Sequence, residues 1–424
     1  MPARSRSATK AAELYPTATA CSRALQPERD SSIIHSNNVA DSGMKRMDWR
    51  RRLLLATAVA IGTLLVGEIG ARALLRGSFR SGERLGHTWK VLARFDPKLG
   101  WANDSGVRAF ITTVEFSYRA RINSQGFRDP ETPIRKLPGL RRLLFLGDSM
   151  TWGWGVDDGE RFTDLIAADL APGFEVINAA VPGYGTDQDF WTLEERGDSL
   201  APDFVVLVFI FNDIQECESA LMYGNNKPRF VLTGDAWNVE GVPVSDPRSG
   251  LARELKPLAM SLVAHSALAS GVQRWTEKPV HAQGIEATGH DYRPQVGARV
   301  REVAQRILDA RSPSRHALNL IRTWCAKRGV PFAVIVLPHR HDEYLYEPLN
   351  GRPEFDGQTE LTQALNRVGR ELDFPVLDVD ARMFEATEIG QRLHCGDGHL
   401  NVAGNQLVAD TLGPKLKTWL ATPR

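Results

Sequence analysis

Cysteine is scarce in this chain, with four in 424 residues and no C-x-x-C pair. That excludes a zinc ribbon, and a chain of this length needs no disulfide scaffold to hold a core. Excess charge of either sign is also missing. Lys and Arg total 52 against 51 Asp and Glu, a formal net charge of +1, so nucleic-acid binding has no electrostatic footprint. Walker A, H-E-x-x-H and G-x-S-x-G motifs are absent, as are internal repeats, which removes the phosphate loop, the zincin site and the nucleophile elbow. Hydrophobic residues at 42% and charged residues at 24% are ordinary globular values and exclude a disordered or collagen-like chain.

What is present begins with an address. Residues 1–46 are rich in Ser, Ala, Arg and Asn without an apolar period, and read as disordered or as sequence upstream of a start at Met44 or Met47. Arg50-Arg51-Arg52 then precedes Leu53 through Gly67, fifteen residues without charge, followed by Glu68 and more apolar residues to Leu75. A basic flank before an apolar run keeps the N-terminus in the cytoplasm. Fifteen residues suit a signal-peptide core, and Ala71-Arg72-Ala73 offers a cleavage site. Counting on to Leu75 reaches a membrane span, with Glu68 and Arg72 near the far interface. Uncleaved anchor and cleaved signal both place the rest of the chain outside the cytoplasm, in a periplasmic setting. The expected organisation is therefore an extension (1–46), a signal-anchor (47–76), a membrane-proximal accessory segment (77–140) and a catalytic domain (141–424).

From residue 141 strands alternate with helices. Leu143–Leu146, Val176-Ile177, Phe204–Phe211, Phe332–Leu337 and Val376-Leu377 are short continuous apolar runs, the pattern of strands buried on both faces of a parallel sheet. Ser312-Pro313 starts a helix that carries Leu318, Ile321 and Cys325 and stops at Gly329, and a last helix starts at Asn401. This alternation predicts a doubly wound α/β sandwich. Residues 214–299 interrupt it with a turn-rich stretch and an amphipathic helix around Leu251–Trp275, and read as an inserted lid or side subdomain. In the accessory segment, Phe116–Ile122 alternates like a strand and precedes Asn123-Ser-Gln-Gly-Phe-Arg-Asp129.

Ligands of open α/β sheets bind beyond the carboxyl ends of the strands. Those ends carry Gly147-Asp148-Ser149, Gly183, Asn212-Asp213 and Pro338-His339-Arg340-His341, with Asp397-Gly398-His399 before the last helix. A serine nucleophile needs a base, the base needs an orienting acid, and the oxyanion needs donors. Ser149, His399 and Asp397 supply the first three. The backbone N–H groups of Ser149 and Gly183 and the Asn212 amide supply the donors.

This set resembles the SGNH (GDSL-type) hydrolase superfamily over residues 141–213 and about 300–420, and the Asn123–Asp129 motif with the anchor resembles a bacterial membrane-associated branch. The resemblance implies a flavodoxin-like three-layer α/β/α sandwich, ester hydrolysis or acyl transfer, and neither metal nor cofactor. It implies Ser149 as nucleophile, Gly183 and Asn212 in the oxyanion hole, and Asp397 and His399 completing the triad. The Asp-x-His spacing, shared with alginate O-acetyltransferase-like relatives, keeps an O-acyltransferase beside the serine esterase. A third reading is an envelope protein that keeps the fold to bind glycan without catalysis. The implied substrate is an ester-bearing small molecule or cell-envelope glycan.

Around this centre, Trp152 and Trp154 read as sugar-stacking or core residues, and His339 and His341 as a substrate-facing rim rather than a metal site. Cys217 and Cys395 lie near the two site loops, as a disulfide pair in an oxidising compartment or as two unrelated thiols.

Overall fold

The computed structural model describes residues 48–74, 82–113, 115–246, 266–269, 302–338 and 357–422. The extension 1–46, the helix expected around Leu251–Trp275 (apart from 266–269), and His339 and His341 lie outside the described residues.

Helix α1 (Trp49–Leu74) follows the basic flank, and its stretch Trp49–Ala71 is long and apolar enough to cross a membrane. Glu68, the one acid in that run, accepts the Ser266 hydroxyl at 2.8 Å and the N–H groups of Ala267 and Leu268, both at 3.0 Å. These donors satisfy a carboxylate that an apolar run otherwise leaves costly.

The accessory segment forms small sheets. Arg84–Gly86 (β1), Arg108–Thr112 (β4) and Ser117–Arg121 (β5) make one, and Ala93–Asp96 (β2) and Gly100–Asn103 (β3) pair as a ribbon. Their buried side chains, among them Ile111, Tyr118 and Ile122, pack against Trp152, Trp154 and Ala180 of the following domain.

The central sheet contains Arg141–Leu146 (β6), Phe174–Asn178 (β7), Phe204–Phe209 (β8), Phe332–Val336 (β13) and Val376–Asp378 (β14), in the order β14-β13-β8-β6-β7. Each neighbouring pair is parallel. This is the flavodoxin-like order, whose switch point lies between the first and third strands in sequence, here β6 and β8. The apolar runs are continuous because both faces are covered. Val205, Leu207 and Phe209 of β8 join one core with α4 (Thr186–Leu200), α6 (Pro313–Lys327) and α7 (Glu360–Leu372). Phe204, Val206 and Val208 join the other with α3 (Phe162–Leu170), α8 (Asp380–Glu388) and α9 (Val402–Ala421). All six β8 residues are buried, and burying each large apolar side chain contributes roughly 1.5–3 kcal/mol. The helix ends follow the sequence signals. Ser312 caps α6 through the Arg315 N–H, and Asn401 caps α9 through the Gly404 N–H.

Between β8 and α6, the short helix α5 (Asp213–Glu218) leads into two small hairpins, Leu221–Met222 (β9) with Asn225–Asn226 (β10) and Arg229–Thr233 (β11) with Ala236–Glu240 (β12). These, with residues 266–269 beside Glu68, are the described part of the insertion.

Candidate active site

β6 is followed by Gly147, whose φ of +146° and close approach to Thr151 exclude a side chain. The four-residue helix α2 (Ser149–Trp152) follows, capped by Asp148, which accepts the Met150 N–H at 2.9 Å. Ser149 is the first residue of α2, so its amide N–H has no intrahelical acceptor. Its Oγ lies 2.8 Å from His399 Nε2. Asp397 Oδ1 lies 3.2 Å from His399 Nδ1, off the line of an ideal hydrogen bond, and accepts the His399 backbone N–H at the same distance. Its other oxygen accepts the Trp154 indole N–H at 2.9 Å. Burial alone pushes the Asp397 carboxyl up, but His399 and the indole outweigh it and hold it at about 2. It is therefore ionised behind the imidazole at neutral pH.

Gly183 and Asn212 arrive on the loops after β7 and β8. Gly183 has φ +77°, and a Cβ there meets the Tyr223 ring at 2.6 Å, so only glycine fits. The accessory ribbon pins this loop. The Trp101 indole donates to Pro182 O at 3.0 Å, Asn103 donates to Ala180 O at 3.3 Å, and the Tyr184 hydroxyl donates back to Trp101 O at 2.6 Å. The Asn212 amide donates to Glu216 Oε1 at 2.9 Å and lies 3.4 Å from Asp148 Oδ2. Together these residues line a cavity of about 600 Å³ with Trp89, Lys90, Phe211 and Tyr223 on its walls, within the usual size of ligand sites. The structure thus brings Ser149, His399, Asp397, Gly183 and Asn212 to one cavity at the switch point.

Two readings that the sequence left open resolve here, each to its packing alternative. Trp152 is fully buried, not on the cavity wall. It sits at the end of α2 and packs into the accessory core, with the Arg128 guanidinium 4.4 Å over its ring. Cys217 and Cys395 are free thiols rather than a disulfide. Cys217 is buried against α4 and accepts the Asp187 N–H through Sγ, while Cys395 faces the Gly155 turn beside Phe116. Burial pushes both thiols up, Cys395 to about 12, so neither is a ready thiolate.

Other residues of the site escaped the sequence reading. The Asn123–Asp129 motif is a clamp on the chain after Ser149. Asn123 Oδ1 accepts the N–H groups of Gln125 and Phe127, and this turn presents Arg128. The buried Arg128 guanidinium donates to the carbonyls of Trp152, Gly153 and Val156. Asp129 accepts the Asn178 N–H at 3.0 Å, and the Asn178 amide holds Thr151 O at 2.6 Å. The motif was legible as a string, but its role depends on contacts across 24 residues or more of sequence. Trp89 and Tyr223 had no signal beyond being aromatic in irregular segments.

Among solved structures, a psychrotrophic esterase from Pseudoalteromonas sp. is similar at 11% identity over 66% of this chain and 100% of its own, with a TM-score of 0.34. A lipase/acylhydrolase from Enterococcus faecalis shares 17% over 66% and 97%, with a TM-score of 0.32. An acetyl xylan esterase shares 14% over 65% and 99%, also at 0.32. No curated protein matches the chain. The model of the GDSL-like lipase/acylhydrolase family matches residues 145–407, from β6 through the start of the last helix, and on that match the chain belongs to this family of ester hydrolases.

Proposed function

We propose that the chain is a serine esterase that removes an acyl group, acetyl foremost, from a carbohydrate or cell-envelope substrate. The observation that carries the reading is the 2.8 Å contact between Ser149 Oγ and His399 Nε2 on the floor of an open cavity. In the first half-reaction Ser149 Oγ attacks the ester carbonyl and its proton passes to His399 Nε2. Asp397 stabilises the imidazolium. The amides of Ser149 and Gly183 and the Asn212 side chain receive the oxyanion. Collapse expels the alcohol, protonated by His399, and leaves an acyl-Ser149 ester. Water, deprotonated by His399, then releases the acid. An O-acyltransferase differs only in admitting an acceptor hydroxyl in place of that water, and a cavity of about 600 Å³ has room for one. The aromatic walls at Trp89, Trp154 and Tyr223 favour the apolar face of a sugar ring.

A fluorophosphonate probe incubated with the full-length chain in detergent should label one residue, Ser149, located by peptide mass mapping. Absence of label there, in protein that melts cooperatively, moves the weight to a non-catalytic glycan binder. Release of p-nitrophenol from the acetate ester, with and without a glycan acceptor, separates hydrolysis from transfer by whether acetyl appears on the sugar.

The same reading gives α1 the role of a membrane anchor, with residues 77–424 on the extracytoplasmic side. Carbonate washing of membranes should leave the chain in the pellet. Full release without detergent would refute the anchor.

A further inference from the structure

Two of the three oxyanion donors inferred above, Gly183 and Asn212, come from separate loops, and one side chain of the insertion reaches both. Tyr223 stands between β9 and β10 with a left-handed backbone, φ +52°, which strains a residue with a large side chain and persists only where its surroundings hold it. Its carbonyl accepts Lys90 Nζ at 2.6 Å, and its ring packs edge-on to Trp89 with centroids 6.4 Å apart. The Cδ2–Cε2 edge of the ring crowds the place where a Cβ on Gly183 would go, with Cε2 2.6 Å from that position. Its hydroxyl donates to Glu216 Oε1 at 2.6 Å, and the same oxygen accepts the Asn212 amide at 2.9 Å.

We propose that Tyr223 and Glu216 are positioning residues of the oxyanion hole, the ring seating Gly183 and the hydroxyl–carboxyl pair fixing the Asn212 amide. This rests on the serine-esterase reading. With one amide hydrogen held by Glu216, the Asn212 side chain cannot rotate, and its other hydrogen, in only a 3.4 Å contact with Asp148 Oδ2, is the one that meets developing negative charge. Preorganisation of this kind costs nothing at the moment of reaction, which is why it lowers the barrier rather than improving ground-state binding. Glu216 is fully buried. Burial and the nearby Asp148 push its carboxyl well above the ordinary carboxylate range, which favours the neutral acid and limits negative charge beside the forming oxyanion.

Tyr223→Phe keeps the ring and removes the hydroxyl. In the full-length chain assayed with p-nitrophenyl acetate, it should lower kcat by about 10–100-fold with KM changed less than about threefold, because an oxyanion donor is misplaced while the cavity is kept. Glu216→Ala should do the same or worse, and Glu216→Gln, which retains an acceptor oxygen, should restore most of that loss. A role in folding alone would lower the melting temperature of Tyr223→Phe and leave kcat intact. That result, or Glu216→Gln as impaired as Glu216→Ala, overturns the proposal. Ser149→Ala run alongside separates the two readings. If it too retains activity, the esterase reading itself has failed, whereas a dead Ser149→Ala beside an unaffected Tyr223→Phe sinks only the positioning role.

Discussion

Ser149→Ala is expected to lower kcat/KM for p-nitrophenyl acetate by about 10³–10⁶-fold while leaving the melting temperature within a few degrees of the parent chain. On the proposed mechanism the loss is large because Oγ is the atom that bonds to carbon, and the oxyanion donors left behind would supply only the residual acceleration. The fold should tolerate the change. Position 149 opens α2, where alanine is a good helix former, and the Asp148 cap on the Met150 N–H does not involve the lost hydroxyl. His399→Ala should fall in the same range, since an uncharged serine without its base is a poor nucleophile. The double variant should be no worse than either single one, because the residues act as a unit. Steady-state kinetics on the three variants check this. Turnover within tenfold of the parent in Ser149→Ala, or strictly multiplicative losses in the double variant, would defeat the shared-site reading.

The parts of this fold that sequence made legible are those written in local periodicity. The run Phe204–Phe209 reads as a doubly covered strand because every residue in it is buried, and Ser312 and Asn401 mark helix starts because their side chains cap them. The strand-end residues were legible for a topological reason. A parallel sheet sends all its carboxyl ends to one edge, so Ser149 and Asn212 had to meet near the switch point. The choice between stacking and core for Trp152 was not legible, because its position after Ser149 says nothing about which side of a one-turn helix faces the cavity. Sequence could not decide between a Cys217–Cys395 disulfide and two separate thiols, because a disulfide needs both distance and direction, and each thiol is free in its own packing. Tyr223 and Trp89 were invisible because their place depends on how irregular segments 134 residues apart come together, and irregular segments carry no period.

Lys227→Met is expected to destabilise the chain by about 3–5 kcal/mol, the usual cost of stripping one partner from a buried ion pair. Lys227 and Asp187 are both fully buried in the side chain, with Nζ donating to Asp187 Oδ2 at 2.6 Å and to Glu216 O at 2.9 Å. The pair ties the insertion between β10 and β11 to the first turn of α4 beneath the cavity. There the adjoining Asn226 carbonyl also presses on Gly100 so closely that a Cβ would lie 2.2 Å away. Methionine keeps the volume but leaves Asp187 without its cation. Burial pushes the Asp187 carboxyl up and Lys227 opposes that rise, so removing Lys227 raises it further. A carboxyl with a raised folded pKa binds protons more tightly in the native state, and its stability contribution is lost as pH rises through that pKa. The deficit of Lys227→Met should therefore widen between about pH 5 and pH 8, a range lying above the ordinary carboxylate value. Adding Asp187→Asn should recover most of the loss and remove the pH dependence, since a neutral amide does not need the cation. Urea unfolding of the four chains of this cycle at both pH values measures the coupling. A deficit below about 1 kcal/mol, no larger than an exposed pair gives, or one that does not change with pH, would mean that the pair is not what holds the insertion against the catalytic domain.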